Sequence, residues 1–405
     1  MVQSSETQDA SHQSRVPRIH MALAFLAFIL IGCNDGGLGV LIPSLRAFYH
    51  VDAVTFSWLF FASVIGYLIA SFNTGLLTAK LGERRFLLLG TAIFCLGALL
   101  YSAMPPFALF LCCGTVVGFG VGMLDAGLNA YVASLPNNGK LLNYLHAFYG
   151  AGALLGPLVA SGLLALQLGW HATYLTWLGL ALVVLTGLWF AFKPRIQANQ
   201  AEQQTSEEQG QSLIGGILRL RGVWLAAFFL LFYVGTEVNL GNWGYSFLTL
   251  ARSGPALFSA WVISGYWTGL TLGRAILANM IPRLGMRRLI TLCLGGAVLG
   301  IGLVWAIPGV WGPAIAFCLI GFCLGPLFPT AISLVPQLVA PRLVPSAVGF
   351  LACLGSGGAA FFPWLAGYAL QHLGYWFLPP FALLLAMLMW GMWLALSRVP
   401  TTQSK

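Results

Sequence analysis

Charge is what this sequence has least of. Only 7% of its 405 residues are Asp, Glu, Lys or Arg, and ten are acidic, whereas an ordinary soluble domain carries roughly 25% charged residues. A water-soluble chain of this length cannot cover its surface with so few charges, which excludes a soluble enzyme, a disordered chain and a coiled coil. Other patterns are missing as well. The eight cysteines (33, 95, 112, 113, 293, 318, 323 and 353) form no C-x-x-C pair and all fall in apolar runs, where packing is their expected role rather than metal or disulfide chemistry. Neither a nucleophile–base spacing nor a metal cluster nor a phosphate-cradling glycine loop occurs, so an enzyme is not expected, and neither is a cofactor or metal site. The absence of any N-x-Ser/Thr acceptor points to a bacterial inner membrane. No small-residue cleavage site follows the first long apolar run, so no cleavable signal is expected.

What remains is long apolar sequence. A membrane helix needs ~20 apolar residues to cross ~30 Å of hydrocarbon. Asp125 is the only formal charge between Phe86 and Gly139, and none falls in 141–192, 289–341 or 343–397. Each of these blocks holds two spans. Turn signals divide them at Met104-Pro105-Pro106, Leu168-Gly169-Trp170, Pro308-Gly309 and His372-Leu373-Gly374. Further pairs at 21–43 and 55–79, and at 222–250 and 256–280, bring the expectation to an all-α integral membrane protein with twelve transmembrane helices. On that plan sixteen of the nineteen cations lie on the side of the termini, so both termini are expected in the cytoplasm. The net charge of +9 then reflects topology rather than nucleic-acid binding. Glycine, at 49 residues, suits helices whose backbones approach closely. The Gln- and Glu-rich stretch after Phe192 is too polar to insert. The expected organisation is therefore a tail at 1–17, a six-helix bundle at 18–192, a cytoplasmic linker at 193–218, a second bundle at 219–398 and a tail at 399–405.

The bundles are internal repeats. A shift of 203 places Trp58 on Trp261, Gly66 on Gly269, Leu81-Gly82 on Leu284-Gly285, Arg84-Arg85 on Arg287-Arg288 and Gly118-Phe119 on Gly321-Phe322. Six spans per half make the two repeats parallel, an arrangement that binds solute between the halves near the midplane. Gly75-x4-Lys80-Leu81-Gly82-Glu83-Arg84-Arg85 resembles the loop 2–3 motif of the major facilitator superfamily. Gly150-Ala-Gly-Ala-Leu-Leu-Gly156-Pro157 resembles the glycine/proline stripe of its fifth helix. The resemblance covers essentially the whole chain, with one departure: the family's loop aspartate falls at Ala79. It implies gating roles for the loop residues Gly82, Arg84, Arg85, Arg287 and Arg288. Asn34-Asp35, Asp125 with Asn129, Asn143 with His146, and Glu237 with Trp243 are similar to the fucose–galactose–glucose:proton symporter family, which implies proton-coupled sugar uptake.

Three acids, Asp35, Asp125 and Glu237, sit inside apolar runs. A carboxylate at the centre of a membrane helix costs ~2.5–3.5 kcal/mol or more, so each must face a cavity or be neutralised. Buried carboxyls are also the groups that can take up and release a proton near neutral pH. The resemblance puts all three on the cavity-lining spans 1, 4 and 7. His146 is the candidate proton relay to Asp125, with a plain hydrogen bond to backbone or water as the competing reading. For the acids the competing reading is a fixed structural bond. Asn34, Asn129, Asn143 and Asn239 supply paired donors and acceptors suited to solute hydroxyls, or bonds between helices. Trp243, nearly two turns beyond Glu237, is a candidate stacking surface for a sugar. Arg274, the one intramembrane cation, is expected to brace the inner gate. Its backbone depth differs from that of Glu237 by ~10 Å at helical rise, which argues against a direct pair. Pro326, Pro329 and Pro363 read as kinks.

The expected function is alternating-access symport of a small polar solute, a sugar first, with protons, by a functional monomer whose other partner is the lipid bilayer. The alternatives are a proton-driven multidrug or metabolite exporter and a transport-inactive nutrient sensor.

Overall fold

The computed structural model describes residues 18–135, 138–192 and 216–399; the expected tail at 1–17, all but Val399 of the tail expected at 399–405, and 193–215 of the linker expected at 193–218 lie outside the described residues. These are all-helical, with no strand among them. The first half contains α1 (Arg18–Tyr49), α2 (Ala53–Leu81), α3 (Glu83–Ser102), α4 (Phe107–Ala133), α5 (Asn138–Ala165) and α6 (His171–Ala191). The second contains α7 (Arg221–Ser246), α8 (Ala256–Ala278), α9 (Met286–Ala306), α10 (Trp311–Leu324), α11 (Val344–Leu373) and α12 (Leu378–Leu396). A π-helical turn, Phe247–Ala251, extends α7. A second helical piece, Leu327–Ser333, continues α10 beyond Gly325-Pro326, the kink expected from a proline that lacks a backbone N–H.

Eleven of these segments are long and apolar enough to cross a membrane. The remaining one, α8, has 23 residues, but its Ser, Thr, Trp, Tyr and Gly content and Arg274 make it less apolar. Each long charge-free block folds as two helices, and the connections fall at the turn signals. Met104 (φ 53°), Gly169 (φ 77°), Gly309 (φ 77°) and Gly374 (φ 82°) take the left-handed conformation that ends a helix sharply.

The repeat seen in the sequence extends to the contacts. Gly82 and Gly285 both have φ 76° and cap their helices by donating backbone N–H groups to Thr78 and Ile281 at 2.9 and 2.8 Å. Gly118 of α4 packs on the Ser63 carbonyl of α2, and Gly321 of α10 packs on the Tyr266 carbonyl of α8. Gly66 against Thr115 is matched by Gly269 against Cys318. Every one of these partners is related by the same shift of 203. With no water in the bilayer to drive association, such close backbone contact is what holds membrane helices together.

The halves meet at the end carrying the α1–α2 and α11–α12 connections. There the Gln371 amide donates to the Asp52 carboxylate at 2.8 Å, the Val54 N–H donates to Gln371 at 3.1 Å, and Arg46 donates to the Tyr375 hydroxyl. Asp52 also caps α2 by accepting from the Thr55 N–H at 2.7 Å. The Thr55 N–H and then the Gln371 amide hold its carboxyl below the usual carboxylate value. A depressed value means the latch is complete above the ordinary carboxylate pKa of about 3.9 and weakens only as pH falls below it. Deeper in, the backbones of α1 and α7 touch: a Cβ at Gly39 would stand 2.5 Å from the Gly241 carbonyl oxygen. Outside this seam, Arg252 donates to the Val304 and Ile307 carbonyls at 2.6 and 2.8 Å and lies 4.2 Å over the Trp376 ring, capping the end of α9.

Gly118→Val and Gly321→Val are therefore expected to destabilise the protein to a similar extent, each by about 1–3 kcal/mol of overpacking. Gly302→Ala, where nothing lies within 4 Å, should change stability by under about 1 kcal/mol. Thermal unfolding of the purified variants checks both.

Candidate functional site

Four helices of the first half and two of the second bring polar side chains to one place between the halves. On α4 each oxygen of the Asp125 carboxylate accepts from one side-chain donor. The Tyr67 hydroxyl of α2 donates to Oδ2 at 2.7 Å, and the Asn129 amide, one turn on, donates to Oδ1 at 2.9 Å. On α1 the Asp35 carboxylate accepts from Asn34 at 3.1 Å and from the Tyr149 hydroxyl of α5 at 3.1 Å. Asp35 and Asp125 lie within electrostatic reach of each other. Both are half-buried, and among the described residues neither is bonded to an arginine or lysine. Donors alone surround each carboxylate, the environment an ionised acid requires.

His146 of α5 is exposed and meets Phe28 edge-on at 5.7 Å. It lies within electrostatic reach of Asp125, but among the described residues the carboxylate's bonds come from Tyr67 and Asn129 and not from His146. Asn143, one turn earlier, is exposed.

In the second half Glu237 of α7 is buried and pairs with Arg274 of α8, Nη2 to Oε1 at 3.3 Å. This corrects the depth argument against such a pair. Side chains lean towards the N-terminus of their own helix. Because α7 and α8 are antiparallel, Glu237 leans towards the described termini and Arg274 leans away from them, so the long arginine closes the backbone offset. Arg274 Nε also donates to the Gly325 carbonyl at 3.2 Å, which anchors it where α10 breaks. Tyr233, one turn before Glu237, is fully buried and within electrostatic reach of the pair.

The other sequence candidates are placed differently. Asn239 is fully buried, and neither atom of its amide has a partner. Trp243 is also fully buried. Its indole N–H donates to the Pro363 carbonyl at 2.9 Å and its ring lies 6.3 Å from Phe60 of the other half, so both faces are covered in this closed-end arrangement. Arg84 donates to the Trp189 carbonyl at 2.7 Å and lies 5.2 Å over that indole, tying α3 to α6; Arg85 stands on the first turn of α3, and Arg287 and Arg288 on the first turn of α9. The tyrosines were the omission of the sequence reading. Tyr149 lies on the stripe of Asn143 and His146, and Tyr233 is one turn before Glu237; that spacing was the available signal.

The Major Facilitator Superfamily model matches residues 24–258. The chain is 26% identical over 396 residues to Bypass of stop codon protein 6 of Saccharomyces cerevisiae, covering 89% of this chain and 79% of that one. It is 22% identical over 353 residues to the Bacillus subtilis glucose/mannose transporter GlcP, covering 85% and 86%. To Multidrug resistance protein 2 of Bacillus subtilis it is 23% identical over 299 residues, covering 71% and 72%. Among solved structures, nucleoside transporter NupG superposes with a TM-score of 0.75 at 15% identity, covering 94% of this chain and 99% of that one. The D-xylose-proton symporter superposes with 0.73 at 18% identity, covering 96% and 99%.

Arg274→Gln leaves a buried carboxylate without its cation. It is expected to cost on the order of 3 kcal/mol, most of it recovered in the double variant Arg274→Gln/Glu237→Gln. Thermal unfolding of the single and double variants measures this.

Proposed function

The chain belongs to the Major Facilitator Superfamily and is a membrane transporter, not an enzyme; from that premise we propose that it is a symporter that moves a small hydroxylated solute, a sugar first, together with protons. In this reading twelve spans form two six-helix halves, 18–192 and 219–398, with both termini in the cytoplasm of a bacterial cell, and the halves rock about the site between them. The observation that carries the proposal is the pair of carboxylates, Asp35 and Asp125, bonded only to hydrogen-bond donors and without a cation. Glu237 already has Arg274, so its charge is balanced without a proton. That division makes Asp35 and Asp125 the proton carriers and leaves the Glu237–Arg274 pair, with Asn34, Asn129, Asn143 and Asn239, to bind solute hydroxyls. Trp243 would reach a solute only when the closed end opens. The sugar transporters among the relatives support the solute class.

A thermal-shift screen of the purified protein against sugars and polyols identifies the solute to use. In vesicles, one proton per solute and a one-unit pH gradient give about tenfold accumulation, since a pKa or pH unit and a tenfold concentration ratio are both ~1.4 kcal/mol. Asp35→Asn or Asp125→Asn, whichever removes the carrier, is expected to reduce that ratio to one while solute exchange across the vesicle continues. His146→Gln should lower proton coupling if histidine relays. Undiminished accumulation in both aspartate variants would remove Asp35 and Asp125 as the carriers, and sensitivity to hydrophobic drugs with no sugar binding would replace symport with export.

A further inference from the structure

The break in α10 is spanned by a side chain from another helix. In an α-helix the carbonyl of each residue accepts from the N–H four residues on. Pro326 and Pro329 have no N–H to give, so the carbonyls of Phe322 and Gly325 lose those partners. The Phe322 carbonyl lies against Gly273 of α8 and leaves no room there for a Cβ. The Gly325 carbonyl accepts from Arg274 Nε at 3.2 Å. The same guanidinium gives Nη2 to Glu237 Oε1 at 3.3 Å. A guanidinium is a rigid plane, so one arm cannot leave its partner without disturbing the other. Up to the break α10 is fixed on α8: Gly321 packs on the Tyr266 carbonyl and Gly325 on the Leu270 carbonyl. Past it the piece Leu327–Ser333 runs on towards the end opposite the latch. There Phe328 lies 6.1 Å from Tyr233 of α7, and Ser333 donates to Met286 Sδ of α9 at 3.2 Å. The first half lacks both the proline and the arginine. The shift of 203 places Gly122 on Gly325, Ala126 on Pro329 and Ser71 on Arg274. Ala126 keeps its N–H, and α4 runs unbroken from Phe107 to Ala133.

We propose that Arg274 takes the place of the N–H that Pro329 lacks, and so puts the break in α10 under the control of the Glu237 carboxylate. The proposal rests on the reading of Glu237 and Arg274 as a solute-binding pair. A solute hydroxyl that donates to Glu237 competes for the oxygen that holds Nη2. The guanidinium turns as that arm is displaced, Nε leaves the Gly325 carbonyl, and the carbonyl is left bare. A bare carbonyl within a membrane segment is costly unless water or another donor reaches it. Tilting of the second piece of α10 opens that access. Binding between the halves therefore loosens 327–333, at the end opposite the latch, and Arg274 is the positioning residue through which it does so. Only hydrogen bonds are exchanged in this step.

The test is hydrogen–deuterium exchange of the full chain in detergent micelles, which needs no solute. Exchange is read over 324–336, with 90–101 of α3 as the reference. Arg274→Lys keeps a cation for Glu237 but has a methylene where arginine has Nε. Glu237→Gln removes the anchor of Nη2, and a guanidinium without its carboxylate turns towards water. Each substitution is expected to raise exchange over 324–336 about threefold or more relative to the reference. Pro329→Ala returns a backbone N–H to the Gly325 carbonyl, and in that background neither substitution is expected to raise exchange further. A merely structural loss would raise exchange in both regions alike, and alanine at 329 would not repair it. Equal effects with and without Pro329, or none over 324–336 from either substitution, overturn the proposal. If Pro329→Ala does not accumulate in cells, the other two variants decide. A rise confined to 324–336 then supports the link, and a rise shared with 90–101, or no rise, overturns it. Suppression by Pro329→Ala beside undiminished solute binding by Glu237→Gln in thermal shift removes the pair's binding role alone. An unsuppressed effect beside lost solute binding removes the link to α10 alone.

Discussion

A carboxylate in a hydrocarbon layer must be given a partner, and the plan of this molecule follows from how three of them are served. One is paid for by an arginine; two are held by tyrosine and asparagine donors. Those donors come from neighbouring helices, so Asp35 ties α1 to α5, Asp125 ties α2 to α4, and Glu237 ties α7 to α8. The two phenol bonds run between the same helices that approach each other through glycine, α1 with α5 and α2 with α4. Close packing and charge satisfaction are thus one design: only helices whose backbones nearly touch can bring a phenol to a carboxylate inside a membrane.

The two halves share a backbone plan and differ in their chemistry. Glycine contacts and helix caps recur at a constant shift, so the scaffold is symmetric. The titratable groups are not: Asp125 corresponds to Phe328, which lies 6.1 Å from Tyr233, and Arg274 corresponds to Ser71. A balanced ion pair on one side faces two carboxylates without cations on the other. In the proposed symport, proton uptake changes the charge of one half only, which biases how the halves attract each other across the seam.

Much of this was legible in the sequence because it depends on one-dimensional facts. Charge-free blocks, turn residues and a paired Arg-Arg loop at constant shift locate helices and repeats without reference to neighbours. The three acids stood out for the same reason: nothing else in their runs is charged. The Glu237–Arg274 pair was not legible, because counting helical rise places backbones while the lean of a side chain decides who meets whom. Tyr67 and Tyr149 were hidden among twelve tyrosines, most of which pack without serving an acid. The covered position of Trp243 depends on the conformation, which no spacing rule supplies. The reduced apolarity of α8 has a physical reason, since a helix packed against α5, α7 and α10 shows little of itself to lipid.

The contact between Gly39 and Gly241 bears on leakage. A channel closed by side chains can pass water whenever a rotamer flips, and a file of water molecules conducts protons. Here the closed end is sealed in part by two main chains in direct contact, with no rotatable group between them. In the proposed symport, such a barrier guards the gradient from short circuit, because it has no moving parts of its own and opens only when an entire half of the molecule swings away.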